Sequence, residues 1–432
     1  MFYRSWRTLS LRHERNFKLR FIGFRLGPLA VRFATLLALL VAGGSALLAA
    51  APKKTAVTTV ANTTRKPPLK HKGIMRILAG PWRTPTYADS TVGDRTDGED
   101  IVVRRAAIEA LGGLNGTVVV THPETGLVLS IVNQKLALQD GFQPCSTVKV
   151  PVALAALSES VIQRTTLIRL HGRTSVGLTE ALAKSNNEYF AALGQKLGFE
   201  RVSYYARLFG LGEKAGFNIE GERAGLLPPS TPHNGIGMMT SFGDGIAVTP
   251  LEMAALIGAV ANGGTLYYLQ YPHTLEEAAM IEPRVKRRLD IEPLLPEIRP
   301  GLAGAVEYGT ARRAGAGSDE MIYGKTGTCT DSRTPTHLGW FESYTDSPSG
   351  KIAVVVLLTG ARAVSGPAAS GVAGNVYKNL DAAGYFGKPH GAPGATGTAA
   401  KNATPDPRYA LASNSDVSSS HSVTRASKPE RQ

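Results

Sequence analysis

Apolar and polar positions fall into clear segments only between about residues 101 and 387, and those segments define the elements. Residues 116–122 (GTVVVTH) and 127–133 (LVLSIVN) are β-branched runs on either side of Pro123-Glu124-Thr125-Gly126, whose turn residues predict a β-hairpin. Residues 150–161 (VPVALAALSESV) are apolar almost throughout, which predicts a mostly buried helix. Residues 178–197 and 250–261 carry apolar side chains at helical spacing. Residues 321–328 and the apolar run 352–358 (IAVVVLL) read as strands. A hairpin first, helices in the middle and strands at the end predict a mixed α/β fold. Its sheet is expected to be closed by the two ends of this region.

Outside that region the pattern changes. Residues 33–51 (FATLLALLVAGGSALLAAA) are uncharged, and at ~1.5 Å per residue they make roughly 28 Å of helix, enough to cross a bilayer core. Residues 52–72 are rich in Lys, Thr and Pro, and the stretch 52–100 as a whole reads as a linker. Residues 388–432 are poor in large apolar side chains and read as a disordered tail.

Charge changes this picture in one respect. The net charge of +14 lies at the front, since residues 1–83 carry +15 and the remainder −1. A near-neutral folded region argues against a nucleic-acid partner. The basic segment 1–32 instead predicts that the apolar stretch is a single-pass anchor, with its basic flank in the cytoplasm. Everything after Ala51 is then outside the cytoplasmic membrane, in the periplasm. A signal peptide cleaved after Ala49-Ala50-Ala51 is the alternative, and it exports the domain equally well. The two cysteines, Cys145 and Cys329, are compatible with one disulfide in an exported protein, but spacing alone does not pair them.

Three short motifs carry candidate chemistry. Ser146-Thr147-Val148-Lys149 begins the buried helix, and residues three apart share a helical face, so the Lys149 amine can reach the Ser146 hydroxyl. A desolvated, neutral amine there accepts the hydroxyl proton. A helix start also offers free backbone N–H groups to a developing oxyanion. Ser185-Asn186-Asn187 places a hydroxyl and an amide two apart, in position to project from one turn into a cleft. Lys325-Thr326-Gly327-Thr328 offers a cation and a hydroxyl to a carboxylate, with a glycine where a substrate backbone would lie close. Each motif alone has a bland reading: an N-cap serine with a solvated lysine, a polar helix break, an exposed strand end.

Together, and in this order, the motifs are those of serine β-lactamases and penicillin-binding proteins. The chain resembles the penicillin-binding transpeptidase domain over about residues 115–380. Pro144-Cys145-Ser146-Thr147-Val148-Lys149 is similar to that family's Pro-Gly-Ser-Thr-Phe-Lys. Residues 178–190 (LTEALAKSNNEYF) resemble its second-motif helix, and Val248-Thr249-Pro250-Leu251 with Ala261-Asn262-Gly263-Gly264 its central helix and loop. Gly309-Thr310-Ala311 and HLGWF (337–341) match the approach to its third motif and the strand that follows.

The resemblance implies a fold with an antiparallel sheet, helices on both faces and a helical subdomain. It implies Ser146 as nucleophile, Lys149 as its base and Ser185 as a proton relay. Asn187 would bind the substrate amide, while Lys325, Thr326 and Thr328 would hold the terminal carboxylate and substrate backbone. The backbone N–H groups of Ser146 and Thr328 would form the oxyanion hole. The implied reaction cross-links peptidoglycan stem peptides through an ester on Ser146, with β-lactams as inhibitors and cell-wall synthesis proteins as partners. No cofactor or metal is called for.

The resemblance also implies a Cys145–Cys329 disulfide, because the cysteines neighbour the two oxyanion donors and some serine carbapenemases of the superfamily carry a disulfide at the matching positions. Two separate buried thiols are the alternative. A D,D-carboxypeptidase, a serine β-lactamase and a β-lactam sensor remain rival functions. The Glu-x-x-Leu-Asn pattern of one β-lactamase class is absent after Ser185. Cys145, Val148, Asp244 and Glu342-Ser343 depart from the family pattern, the last where an apolar residue and Gly are usual.

Overall fold

The computed structural model describes residues 83–386, apart from 173, 218, 317–319, 332, 334, 348 and 349. The expected anchor at 33–51, its basic flank, most of the linker and the tail at 388–432 lie outside the described residues. Among the described residues no helix is long and apolar enough to cross a membrane.

The chain order begins with α1 (Ile101–Leu111), the hairpin β1 (Gly116–Thr121) and β2 (Val128–Val132), and the short α2 (Gln134–Ala137). A 3-10 turn, Cys145–Val148, leads into α3 (Lys149–Ser158). A two-stranded ribbon, β3 (Ile168–Arg169) and β4 (Ser175–Val176), precedes α4 (Leu178–Ala183), α5 (Asn187–Leu208), α6 (Ile236–Phe242) and α7 (Pro250–Ala261). A second ribbon, β5 (Thr265–Tyr267) and β6 (Val285–Arg288), encloses α8 (Leu275–Met280). The chain closes with α9 (Leu295–Glu307), β7 (Ile322–Thr330), β8 (His337–Thr345), β9 (Ala353–Gly360) and α10 (Gly366–Ala382).

The five-stranded sheet runs β2-β1-β9-β8-β7 and every pairing is antiparallel. The early hairpin thus pairs with a late strand, as the segment order predicted. The run at 352–358 has no polar face because β9 is the central strand, with all eight residues buried. Two apolar clusters cover the sheet. One joins α1 and α10 through Val103, Ala107, Val372 and Tyr377. The other holds α3, α5 and α7 against Trp340, Val355 and Leu357. Helix α7 matches its expected bounds because its start is heavily specified: Pro250 sits in the first turn, and Thr249 and Glu252 form a reciprocal capping box.

Two expectations need correction. The single helix at 178–197 is two helices, broken at Lys184–Asn186. Ser185 adopts φ 56°, and the Asn186 side chain caps α5 by accepting from the Tyr189 N–H at 2.9 Å. Residues 83–100, expected as linker, fold against the body: Tyr87 bridges Leu114, and Asp94 and Glu99 reach Arg104 of α1.

Candidate active site

The three motifs converge. Cys145, at φ 54°, turns the chain into the 3-10 segment, so Ser146 and Lys149 lie one turn apart where α3 begins. The α4–α5 break swings Ser185 and Asn187 toward them. The edge strand β7 brings Lys325 from the third side.

Lys149 is fully buried, and its Nζ lies 3.0 Å from Ser146 Oγ, 2.8 Å from the Ser185 carbonyl oxygen, 3.0 Å from Ser185 Oγ and 2.6 Å from Asn187 Oδ1. The carbonyl and amide oxygens only accept, so they take the two N–H groups of a neutral amine and leave its lone pair for the Ser146 hydroxyl. Burial, reinforced by the Lys325 charge, pushes the Lys149 pKa down to about 6. A neutral base is therefore available at neutral pH.

Lys325, also fully buried, donates to Ser185 Oγ at 2.9 Å and to the Thr326 carbonyl at 2.9 Å. Burial lowers its pKa to about 7, against a raising pull from Glu342. The Ser185 hydroxyl thus sits between two lysines, which suits it to pass a proton between them.

The threonines of the third motif are placed differently. Thr326 Oγ1 meets Thr310 Oγ1 at 2.5 Å, and Thr328 Oγ1 accepts from the Gly366 N–H at 2.7 Å. Gly327 also has a role that the sequence did not reveal. A Cβ there would lie 2.8 Å from the Pro144 carbonyl oxygen and 3.2 Å from Cys145 Cβ, so glycine lets β7 press against the Cys145–Val148 turn itself. Cys145 and Cys329 form a disulfide with Cα atoms 5.5 Å apart, fastening that turn to β7 beside Ser146 and Thr328. On the chain-entropy account, closing a loop of this length contributes up to about 5 kcal/mol.

Two neighbours of the site carried no functional reading. The Thr310 N–H donates to the Ala183 carbonyl at 3.2 Å, and a Cβ on Gly309 would collide with that same carbonyl, so the 309–310 turn ties the end of α4 to β7. Trp340 donates its indole N–H to the Gln143 carbonyl at 2.9 Å, which steadies the approach to Ser146.

A family model described as penicillin binding protein transpeptidase domain matches residues 116–380. Stage V sporulation protein D of Bacillus subtilis is 31% identical over 46% of this chain and 34% of its own length. The peptidoglycan D,D-transpeptidase MrdA of Haemophilus influenzae is 24% identical over 62% of this chain and 54% of its own. The chain therefore spans a third to about half the length of these relatives. Among solved structures, a penicillin-binding protein complexed with MreC, from Helicobacter pylori, superposes with a TM-score of 0.56 at 21% identity, covering 66% of this chain and 63% of that one.

Proposed function

Since this chain belongs to the penicillin-binding protein transpeptidase family, we propose that it is a serine D,D-transpeptidase that cross-links peptidoglycan stem peptides. The observation that carries the reading is the Lys149 amine, oriented by the Ser185 carbonyl and Asn187 with its lone pair free for Ser146. Lys149 takes the Ser146 proton as Oγ attacks the carbonyl of the penultimate D-Ala. The peptide C–N bond breaks, the terminal D-Ala leaves with that proton by way of Lys149 or Ser185, and an ester remains on Ser146. An acceptor amine then displaces Oγ, which recovers its proton. Lys325 holds the donor's terminal carboxylate during acylation. The backbone N–H groups of Ser146 and Thr328 hold the oxyanion, a role supported by the disulfide between their chain neighbours. A β-lactam acylates the same serine and stays bound.

The same proposal puts the domain outside the cytoplasmic membrane, supported by the basic-then-apolar order of residues 1–51 and by the disulfide. A reporter active only in an oxidising compartment, fused after Gln432, should be active; an inactive fusion would reject this placement. Partner proteins of cell-wall synthesis belong to the proposal too, and co-purification of the full chain with them is the check.

The deciding experiment incubates the full chain with a fluorescent penicillin, and with a donor stem peptide in the presence and absence of an acceptor amine. We expect covalent labelling that Ser146→Ala abolishes, release of the label over minutes or longer, and a cross-linked product. Labelling that survives in Ser146→Ala rejects the nucleophile. Free acid as the sole product makes the protein a D,D-carboxypeptidase, and turnover of penicillin at several per second makes it a β-lactamase.

A further inference from the structure

The register between β7 and β8 sets Glu342 directly opposite Lys325. Directly opposed residues of an antiparallel pair share a face, so this carboxyl stands beside the Lys325 side chain, on the side of the sheet that carries the site. Glu342 is fully buried, and neither carboxyl oxygen has a hydrogen-bond partner. Its partner on β9 is Val355. Burying a carboxyl without partners costs several kcal/mol unless a counter-charge offsets it. An apolar side chain, as the family pattern has here, would serve packing better. The carboxyl therefore has an electrostatic role or none.

The ionisable groups on the elements around this face narrow the role. Arg299 of α9 pairs with Asp346, and Glu252 of α7 accepts from the backbone N–H of Gly225 and Thr249. Tyr323 and Tyr344 stack on one another further along β7 and β8. That leaves Lys325, with Lys149 beyond it through Ser185 Oγ. Two buried lysines share one hydroxyl, and a like charge this close disfavours protonation of both. Which lysine holds the proton decides whether the site has a base.

We propose that Glu342 is a positioning residue, which assigns the cation of the site to Lys325 and so leaves Lys149 neutral. This rests on the acyl-transfer reading above. A carboxylate beside Lys325, rather than beside Lys149, makes Lys325 the better proton holder. Burial raises the Glu342 pKa well above the ordinary carboxylate range, while the Lys325 charge pulls it back. Glu342 raises Lys325 in return. An ionised Glu342, acting across the strand pair without a direct hydrogen bond or ion pair, favours the protonated Lys325 that a substrate carboxylate needs.

The test follows penicillin acylation of the full chain against pH for the unsubstituted protein, Glu342→Gln, Glu342→Val and Glu342→Asp. It uses a penicillin and its methyl ester. In the Gln and Val variants the alkaline limb should move to lower pH by about one unit or more, because Lys325 loses its counter-charge. At pH 8 the preference for the free acid over the ester should shrink by about fivefold or more. Glu342→Asp should keep the limb and the preference closer to the original. Superimposable profiles for the unsubstituted and Gln proteins would overturn the assignment alone. So would failure of both Gln and Val to fold, because it would make the carboxyl structural. An unsubstituted protein that penicillin labels at no pH would overturn the acyl-transfer reading, and this assignment with it.

Discussion

Among the described residues, the buried charges around Arg104 and those around Lys149 are built on opposite plans. On α1, Arg104 lies against Asp94 at 2.7 Å and Glu99 at 3.1 Å, and it donates to the Ile131 carbonyl at 2.8 Å. Its anions are saturated in turn. Asp94 accepts from the backbone N–H groups of Asn133 and Gln134, and Glu99 accepts from Ser130 Oγ, the Ile131 N–H and Tyr271 Oη. At the site, two lysines share one serine hydroxyl, and Glu342, the carboxyl opposite Lys325 in the sheet, has no hydrogen bond at all. Burial of charge is common to both clusters. What separates them is completeness: each charged group of the first is held by several hydrogen bonds, whereas the second joins two lysines through one hydroxyl and leaves its carboxyl without a hydrogen bond. A proton is freer to move in the second.

The largest effect expected from this contrast follows from replacing the neutral Lys149 amine with a group that is always charged. Lys149→Arg places a permanent cation there that cannot take a proton, so acylation by penicillin should fall by about 10²–10⁴-fold. In the unsubstituted protein the acylation rate should rise with pH through about 6. Below that value the Lys149 amine is protonated and cannot take the Ser146 proton. Stopped-flow labelling across pH 4–9 measures both effects. A Lys149→Arg protein that acylates within tenfold of the original would break the comparison, because the unsettled cluster would then not be the working one.

The next effect in size is on stability. Arg104→Leu leaves Asp94 and Glu99 buried without their cation, which should cost about 3–5 kcal/mol. Chemical denaturation measures it. The folded fraction should still acylate with an unchanged pH dependence. A pH limb displaced by Arg104→Leu would show that the saturated cluster also tunes the site.

These contrasts also mark what the chain revealed by itself. The Ser146–Lys149 pair was legible because three-residue spacing fixes proximity on any helical turn. Strand β9 was legible because a central strand needs apolar residues on both faces, and α7 because its capping residues are local. The α4–α5 break was not legible. Helical spacing continues across it, and only the capping preference of Asn186 and the left-handed turn at Ser185 interrupt the helix. The resemblance to a known family supplied the Cys145–Cys329 pairing, which spacing could not. Glu342 was noticed only as a departure from pattern, since its place beside Lys325 depends on a strand register that no local signal encodes. The saturated cluster was missed for a related reason: residues 83–100 have no apolar period, and polar contacts rather than burial of a stripe hold Asp94 and Glu99 in place.

The smallest expected effect lies at the edge of the site, where one hydrogen bond tests how finished the third motif is. Thr326 Oγ1 is held by Thr310 Oγ1, and the Thr310 backbone is held by Ala183 at the end of α4. The second-motif turn and the third-motif strand are thus joined through a single threonine. Thr310→Val keeps the shape and the backbone contact but removes the hydroxyl. Thr326 then loses one partner, worth about 1 kcal/mol, or roughly fivefold in acylation rate. Because Thr326 flanks Lys325, the loss should appear for a penicillin with a free carboxylate and be weaker for its methyl ester. Thr310→Ser, which restores a hydroxyl, should recover most of the rate. If Val and Ser behave alike, the hydroxyl pair is packing and the carboxylate is held by Lys325 alone. If Val costs as much as Lys149→Arg, Thr326 belongs to the proton-carrying cluster rather than to its rim.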